Sequence, residues 1–186
     1  MRKLINTIRA LAVLLLFAAP LPAMADPYTD NAALDELFAQ LRIASSKAEA
    51  DGISQQIWSY WFAPSDPDLD RRMDASSTAL AVGDMVSALD VLDAVVADYP
   101  DYAEGWNQRA TLYYMVGRLD DSLADIEKVL AIEPRHFGAL AGRVLIYLQQ
   151  DKRAEALQQM IAALAIHPYL GERGLFPELA QHVTHV

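Results

Sequence analysis

Apolar residues are spaced along this chain as they are on one face of an amphipathic helix. The first such stripe comprises Leu34, Leu37, Phe38 and Leu41. Residues three and four positions apart share a helix face, and Trp106, Ala110 and Tyr113 repeat this spacing further along. Ala and Leu are abundant, while the 8 Gly and 9 Pro are scattered, a composition that favours helices. The pattern predicts an all-α fold.

The helical pattern recurs with a period of 34 residues. It is marked by Pro100, Pro134 and Pro168, which can end a helix and begin a turn. The apolar and small positions in register are Leu92, Ile126 and Met160; Val95, Val129 and Ala163; and Ala88, Ser122 and Ala156. Gly83 and Gly117 align with Asp151, where a first helix must end in a left-handed residue. A plain helical bundle would match so many positions only by accident.

The best copy of the period has Trp106, Ala110, Tyr113, Gly117, Ser122, Ile126, Val129 and Pro134. This set resembles the tetratricopeptide repeat, a helix-turn-helix unit that stacks into a solenoid. The resemblance covers three units, residues 69–102, 103–136 and 137–170. The first unit has Arg72 and Ala79 in place of the large residues, and Arg109 and Arg143 stand where the family usually has apolar ones. Residues 104–142 also resemble small exported bacterial repeat proteins of unknown role.

A helical hairpin is predicted in front of the array, within residues 26–68. Ser46 and Glu49 have the spacing of a capping box and would start its second helix. Counting one period back from the second helix of the first unit leads to Trp58 and Trp61. The hairpin is therefore either a degenerate repeat or an unrelated pair of helices that caps the array.

Residues 171–186 are predicted to form a C-terminal cap and tail. Repeat arrays need such caps, because an open end leaves apolar surface in water. A short helix from Pro177 to Val183 would cover the last unit, and the tail from Thr184 would fray.

Residues 1–25 have the three parts of a secretory signal peptide. A basic start is followed by an apolar run over residues 10–19, two prolines and a small-x-small sequence that ends at Ala25. The run is about half of the roughly 20 residues that a spanning helix needs, which favours cleavage after Ala25 over a retained anchor. Because the chain has no Cys and no glycosylation acceptor, the bacterial periplasm is the expected location.

Charge and composition exclude several classes of partner. The formal net charge is -10, and all 25 acidic residues follow position 25, so the mature chain would repel nucleic acid and anionic membranes. The absence of Cys excludes disulfides, thiolate metal sites and cysteine nucleophiles.

Candidate catalytic and metal-binding residues are few. His182 and His185 could share a helix face, but they lie in the last residues of the chain. The alternating aspartates that begin at Asp66 start like a calcium loop, yet Arg71 and Ser77 stand where that loop needs Gly and Glu. A linker and helix cap is the better interpretation. We therefore expect no enzyme activity, no metal and no cofactor.

The family's geometry implies that the first helix of each unit lines a concave groove. The implied groove residues are Met73, Ser77, Leu80, Glu104, Asn107, Thr111, Tyr114, Met115, Ala141, Leu145 and Leu148. None is basic, so the groove is not expected to clamp a C-terminal carboxylate. An apolar groove with a polar rim fits an extended peptide or a partner's helix.

The leading hypothesis is therefore an exported protein–protein interaction module that acts as an adaptor or scaffold. Two alternatives remain. The units could stack end to end into a structural homo-oligomer, or Trp58 and Trp61 could bind glycans for an envelope enzyme.

Overall fold

The computed structural model describes residues 25–182, with side chains to 179. This part contains eight α-helices, which are α1 (Asn31–Ile43), α2 (Lys47–Phe62), α3 (Pro67–Ala81), α4 (Met85–Asp98), α5 (Ala103–Met115), α6 (Leu119–Ile132), α7 (Phe137–Gln149) and α8 (Arg153–Ile166). Two short 3-10 helices follow at Gly171–Leu175 and Pro177–His182. None of the helices in this part combines the length and apolar character that crossing a bilayer requires. The predicted signal peptide falls almost entirely on residues outside the described part.

The helix starts agree with the sequence signals. Asp66 accepts hydrogen bonds from the backbone N–H groups of the first turn of α3, which confirms its predicted role as linker and cap. Ser46 accepts from the Glu49 N–H at 3.2 Å. The Glu49 carboxylate bonds to Ser45 instead of completing the reciprocal box.

Three helix pairs form the predicted array, which confirms an all-α repeat solenoid. Pairs α3–α4, α5–α6 and α7–α8 each pack together, and each second helix packs on the next first helix. Gly83 and Gly117 have φ of 78° and Asp151 has φ of 58°, so all three turns between paired helices use the left-handed conformation. Ser122 is buried and donates to the Ala110 carbonyl at 2.7 Å, so the paired helices approach closely.

The unusual arginines bind neighbouring units together. Arg109 forms a bidentate pair with Asp125 of its own unit and contacts Asp93 of the preceding α4 at 2.8 Å. Arg143 likewise reaches Glu127 of the preceding α6 at 2.9 Å. Since each guanidinium is largely buried at a joint, the two positions act as bridges between units.

The N-terminal hairpin, α1 with α2, does not stack in front of α3. Within the described residues, α1 packs on α8, and α2 packs on α5, on the turn that precedes α7 and on the first residue of α7. Phe38 contacts Phe137, and their ring centroids are 6.4 Å apart. Trp61 is 1% exposed and stacks on His136 at 4.0 Å. The hairpin therefore does not stack in front of α3 as a fourth unit. It lies across the turns that precede α5 and α7 and against the last unit.

The C-terminal cap consists of 3-10 turns where one short helix is predicted. Phe176 lies between the two turns and is 1% exposed in the same core as the hairpin. Arg153 at the start of α8 pairs with Glu178 at 3.0 Å. The last unit is thus covered both by the hairpin and by the C-terminal turns.

Candidate functional site

A groove runs along the concave side of the array, and α5 forms its centre. Two adjoining cavities of about 380 and 370 Å³ make up the groove. The first lies between α3, α5 and the hairpin, and the second lies between α5 and α7. Asn107, Thr111 and Met115 line both, so the two cavities adjoin along α5.

Nine of the eleven residues that the sequence assigns to the groove line these cavities, namely Ser77, Leu80, Glu104, Asn107, Thr111, Tyr114, Met115, Ala141 and Leu145. Met73 is a correction, because it is only 4% exposed and packs in the core between α3 and α4. Leu148 is a second correction, since it is half-buried and packs against the core shared with the hairpin. Whether the groove binds a partner stays a prediction.

The sequence did not assign the hairpin to the groove. Trp58 and Phe62 line the first cavity and stack on each other at 5.2 Å. Phe62 remains 49% exposed. Gly138 admits Trp58, because a Cβ there would lie 2.6 Å from the indole. In the sequence, Gly138 is the closest indication of this contact. Only the structure shows that the side chain it accommodates is Trp58.

A buried polar cluster forms the floor of the groove beneath Trp61. The Glu104 carboxylate is 1% exposed, and its Oε2 accepts from Asn107 Nδ2 at 3.0 Å. Nδ1 of His136 accepts from the Ala139 N–H and thereby caps α7. The proton of this ring is therefore on Nε2, which donates to Glu104 Oε2 at 3.0 Å. The polar groups of Glu104, Asn107 and His136 thus pair within the cluster.

Asp26 ties the N-terminal segment to α5. Its carboxylate accepts from the Tyr28 and Ala103 N–H groups at 2.9 and 3.0 Å. It thus caps α5, whose own N-cap residue, Tyr102, contributes no side-chain bond. Burial raises the pKa of the Asp26 carboxyl to about 6, although the two N–H donors lower it.

A second histidine joins the hairpin to the last unit. His167 Nδ1 accepts from the Tyr169 N–H, so Nε2 carries the proton and donates to Ser54 Oγ at 2.9 Å. Burial lowers the pKa of His167 below its usual value. His136 and His167 therefore play similar structural parts. Each accepts a backbone N–H at Nδ1 in a turn of the array, and each contacts a side chain of α2.

Within the described residues, no three His, Asp or Glu side chains lie close enough to hold a metal ion. His182 and His185, the pair considered from the sequence as possible metal ligands, lie outside the residues whose side chains are described. The features of the groove that a ligand could contact are its apolar side chains and its hydrogen-bond acceptors.

No family model matches the chain. A TPR repeat-containing protein of Rhizobium etli is 38% identical over 135 residues, which covers 73% of the chain and 66% of that relative. Tetratricopeptide repeat protein 34 of Mus musculus is 35% identical over 60 residues, covering 32% of the chain and 11% of that protein. The crystal structure of MamA protein has a TM-score of 0.47 at 16% identity, covering 78% of this chain and 68% of that chain.

The chain spans about two thirds of the length of the first of these relatives and much less of the second. The family assignment depends on the helix pairs in 34-residue register and on the bacterial sequence relative. On that evidence the chain belongs to the tetratricopeptide-repeat proteins.

Proposed function

We propose that this protein is an exported protein–protein interaction module whose concave groove binds an extended peptide or a helix of a partner. The observation that carries the proposal is the groove along α5, which consists of two adjoining cavities. Its surface is apolar at Leu80, Met115 and Leu145 and polar at Asn107 and Thr111. Met115 is 56% exposed although large and apolar, which is typical of interface anchors.

The periplasm is the proposed location, with cleavage of the signal peptide after Ala25. The support is the sequence pattern of residues 1–25. Asp26, the residue that would follow the cleavage site, is buried and accepts a hydrogen bond from the Ala103 N–H. Intact-mass measurement of the exported protein tests this part. A mature chain that begins at Asp26 is expected, and a retained Met1 in the fractionated periplasm would contradict cleavage.

Photo-crosslinking in the cell envelope tests the groove. A benzoylphenylalanine at Met115 should capture a discrete partner, whereas the same probe at Met85 should not, because Met85 is exposed on α4 away from the groove. Thr111→Trp should then abolish capture by filling the part of the groove common to both cavities. Equal products from Met115 and Met85, or capture that survives Thr111→Trp, would refute groove binding.

Two features count against end-to-end stacking as the function. The first unit presents Arg72 and Thr78 where the second has Trp106 and Leu112, so its outer face is polar. At the other end, the hairpin and Phe176 cover the last unit. A catalytic role has no support among the described groups, and we propose none.

A further inference from the structure

The cavity between the hairpin and α5 combines aromatic surface with hydrogen-bond acceptors. The hairpin contributes the stacked Trp58 and Phe62, and α5 contributes Glu104 and Gln108. Because α2 lies outside the repeat units, repeat register alone would not build this cavity. Any partner segment that follows α5 toward α3 must pass it.

The described residues that line the groove include acidic side chains and no basic ones. Among them, Glu104 lines the first cavity and Glu172 lines the second, and neither cavity is lined by Lys or Arg. Asp70 and Asp74 are exposed on α3 at the positions one period before Glu104 and Gln108. These carboxylates extend the negative surface from α5 toward the start of the array, where a positive segment gains Coulomb energy.

Hydrogen bonding selects the same kind of occupant. Gln108 is half-buried, and its Oε1 has no hydrogen-bond partner among the described residues. An unpaired acceptor in a cavity favours a ligand group that only donates, and the side chains with only donors and a charge are Lys and Arg. The aromatic faces of Trp58 and Phe62 also attract such a cation.

We infer that the groove takes a cationic amphipathic segment of a protein partner and seats a Lys or Arg side chain in the cavity between the hairpin and α5. The inference deepens the proposed function and rests on it. Apolar residues of the segment contact Met115 and Leu145, and its cation faces Gln108 and the α3 carboxylates.

Two synthetic helical peptides with the same apolar face test the inference, one with Lys and one with Glu on the polar face. Binding to the full-length protein is followed by fluorescence anisotropy of the labelled peptide. The Lys peptide is expected to bind and to weaken as salt rises, and the Glu peptide is expected not to bind. Asp70→Asn/Asp74→Asn should weaken the Lys peptide about fivefold, and Phe62→Ser about tenfold.

The matched control is Asp90→Asn/Glu155→Gln, which removes two exposed carboxylates from the second helices α4 and α8. It has the same net charge as the α3 double variant and should leave the affinity for the Lys peptide unchanged. Equal weakening by both double variants would show only non-specific attraction and would overturn the inference.

The outcomes separate the inference from the proposed function. If both peptides bind equally and both block crosslinking at Met115, the groove binds partners but the preference for a cation is wrong. If neither peptide binds and Met115 captures nothing, both fail. Binding of the Lys peptide that is insensitive to Phe62→Ser and to the α3 variants also overturns the inference.

Discussion

Because the hairpin docks on the last unit, damage to α1 should destabilise a different unit from the one expected in a simple array. In a solenoid, a unit is stabilised by its neighbours in sequence, so damage near the N-terminus should loosen the first unit. Here Phe38 of α1 is 7% exposed, lies near Phe137 and Trp61, and is covered by the Arg135 guanidinium at 4.4 Å. Phe38→Ala should therefore loosen the third unit.

The expected cost follows from the burial of the ring. Truncating a buried Phe to Ala costs about 3–5 kcal/mol, which includes the cavity that remains. The contacts of Phe38 with aromatic rings and with Arg135 place the cost at about 4 kcal/mol. A domain has about 5–15 kcal/mol of stability in total, so the variant should remain folded but unfold at much lower urea concentration.

Urea unfolding followed by circular dichroism measures the loss, and native-state hydrogen exchange locates it. Amides of α7 and α8 should lose more protection in Phe38→Ala than those of α3 and α4. Leu92→Ala is the matched control, because Leu92 is fully buried in the first unit and lies outside the hairpin core. It should loosen α3 and α4 first. Faster exchange of α3 and α4 in Phe38→Ala, with α7 and α8 unchanged, would refute the docked arrangement.

Four further predictions concern the array end, a turn and the pH dependence of stability. Arg72→Trp places the large residue of the family on the polar outer face of α3, and light scattering should detect self-association; a monomer at high concentration would contradict it. Asp151→Gly relieves a left-handed residue at φ 58° and should raise the unfolding free energy by about 0.5–1 kcal/mol, measured by urea titration. Asp26 has a folded pKa of about 6 against 3.8 unfolded, so its contribution favours folding at low pH and is lost as pH rises through 6. In the Asp26→Asn variant, this loss of stability between about pH 4 and pH 6 should be absent. His167 has a lowered pKa, so its contribution is present above pH 6.5 and is lost on acidification; a His167→Gln variant that keeps the same acid sensitivity would contradict this.

The array could be predicted from the sequence because one register determines several features at once. The same period places Gly83 and Gly117 at the turns and Ala88 and Ser122 where paired helices approach. Nine groove positions follow from it as well. Met73 is an exception, because its apolar side chain is buried in the core between α3 and α4 and does not face the groove.

The position of the hairpin could not be predicted, because it depends on contacts that do not repeat. Trp61 falls one period before Val95, yet it packs on His136 through a stack that no period encodes. The first unit held a better signal. Arg72 and Thr78 replace apolar residues of the later units, and a polar outer face indicates that no helix packs against the first unit on that side. What looked like a poor match to the family marks the start of the array.

The hairpin also bears on the order in which the chain can fold as it is made. Ser54 contacts a residue 113 positions later, and Asp35 one that is 100 positions later. Folding of domains during synthesis proceeds from the N-terminus, but these helices emerge long before α7 and α8. Trp61 can meet Tyr102, and Trp58 can meet α5, as soon as α5 has been made. Phe38 and Trp58 lack the Phe137 ring until α7 follows. Nascent chains therefore carry a partly uncovered aromatic segment that a holding chaperone can bind, and a chain truncated before α7 would leave it partly uncovered.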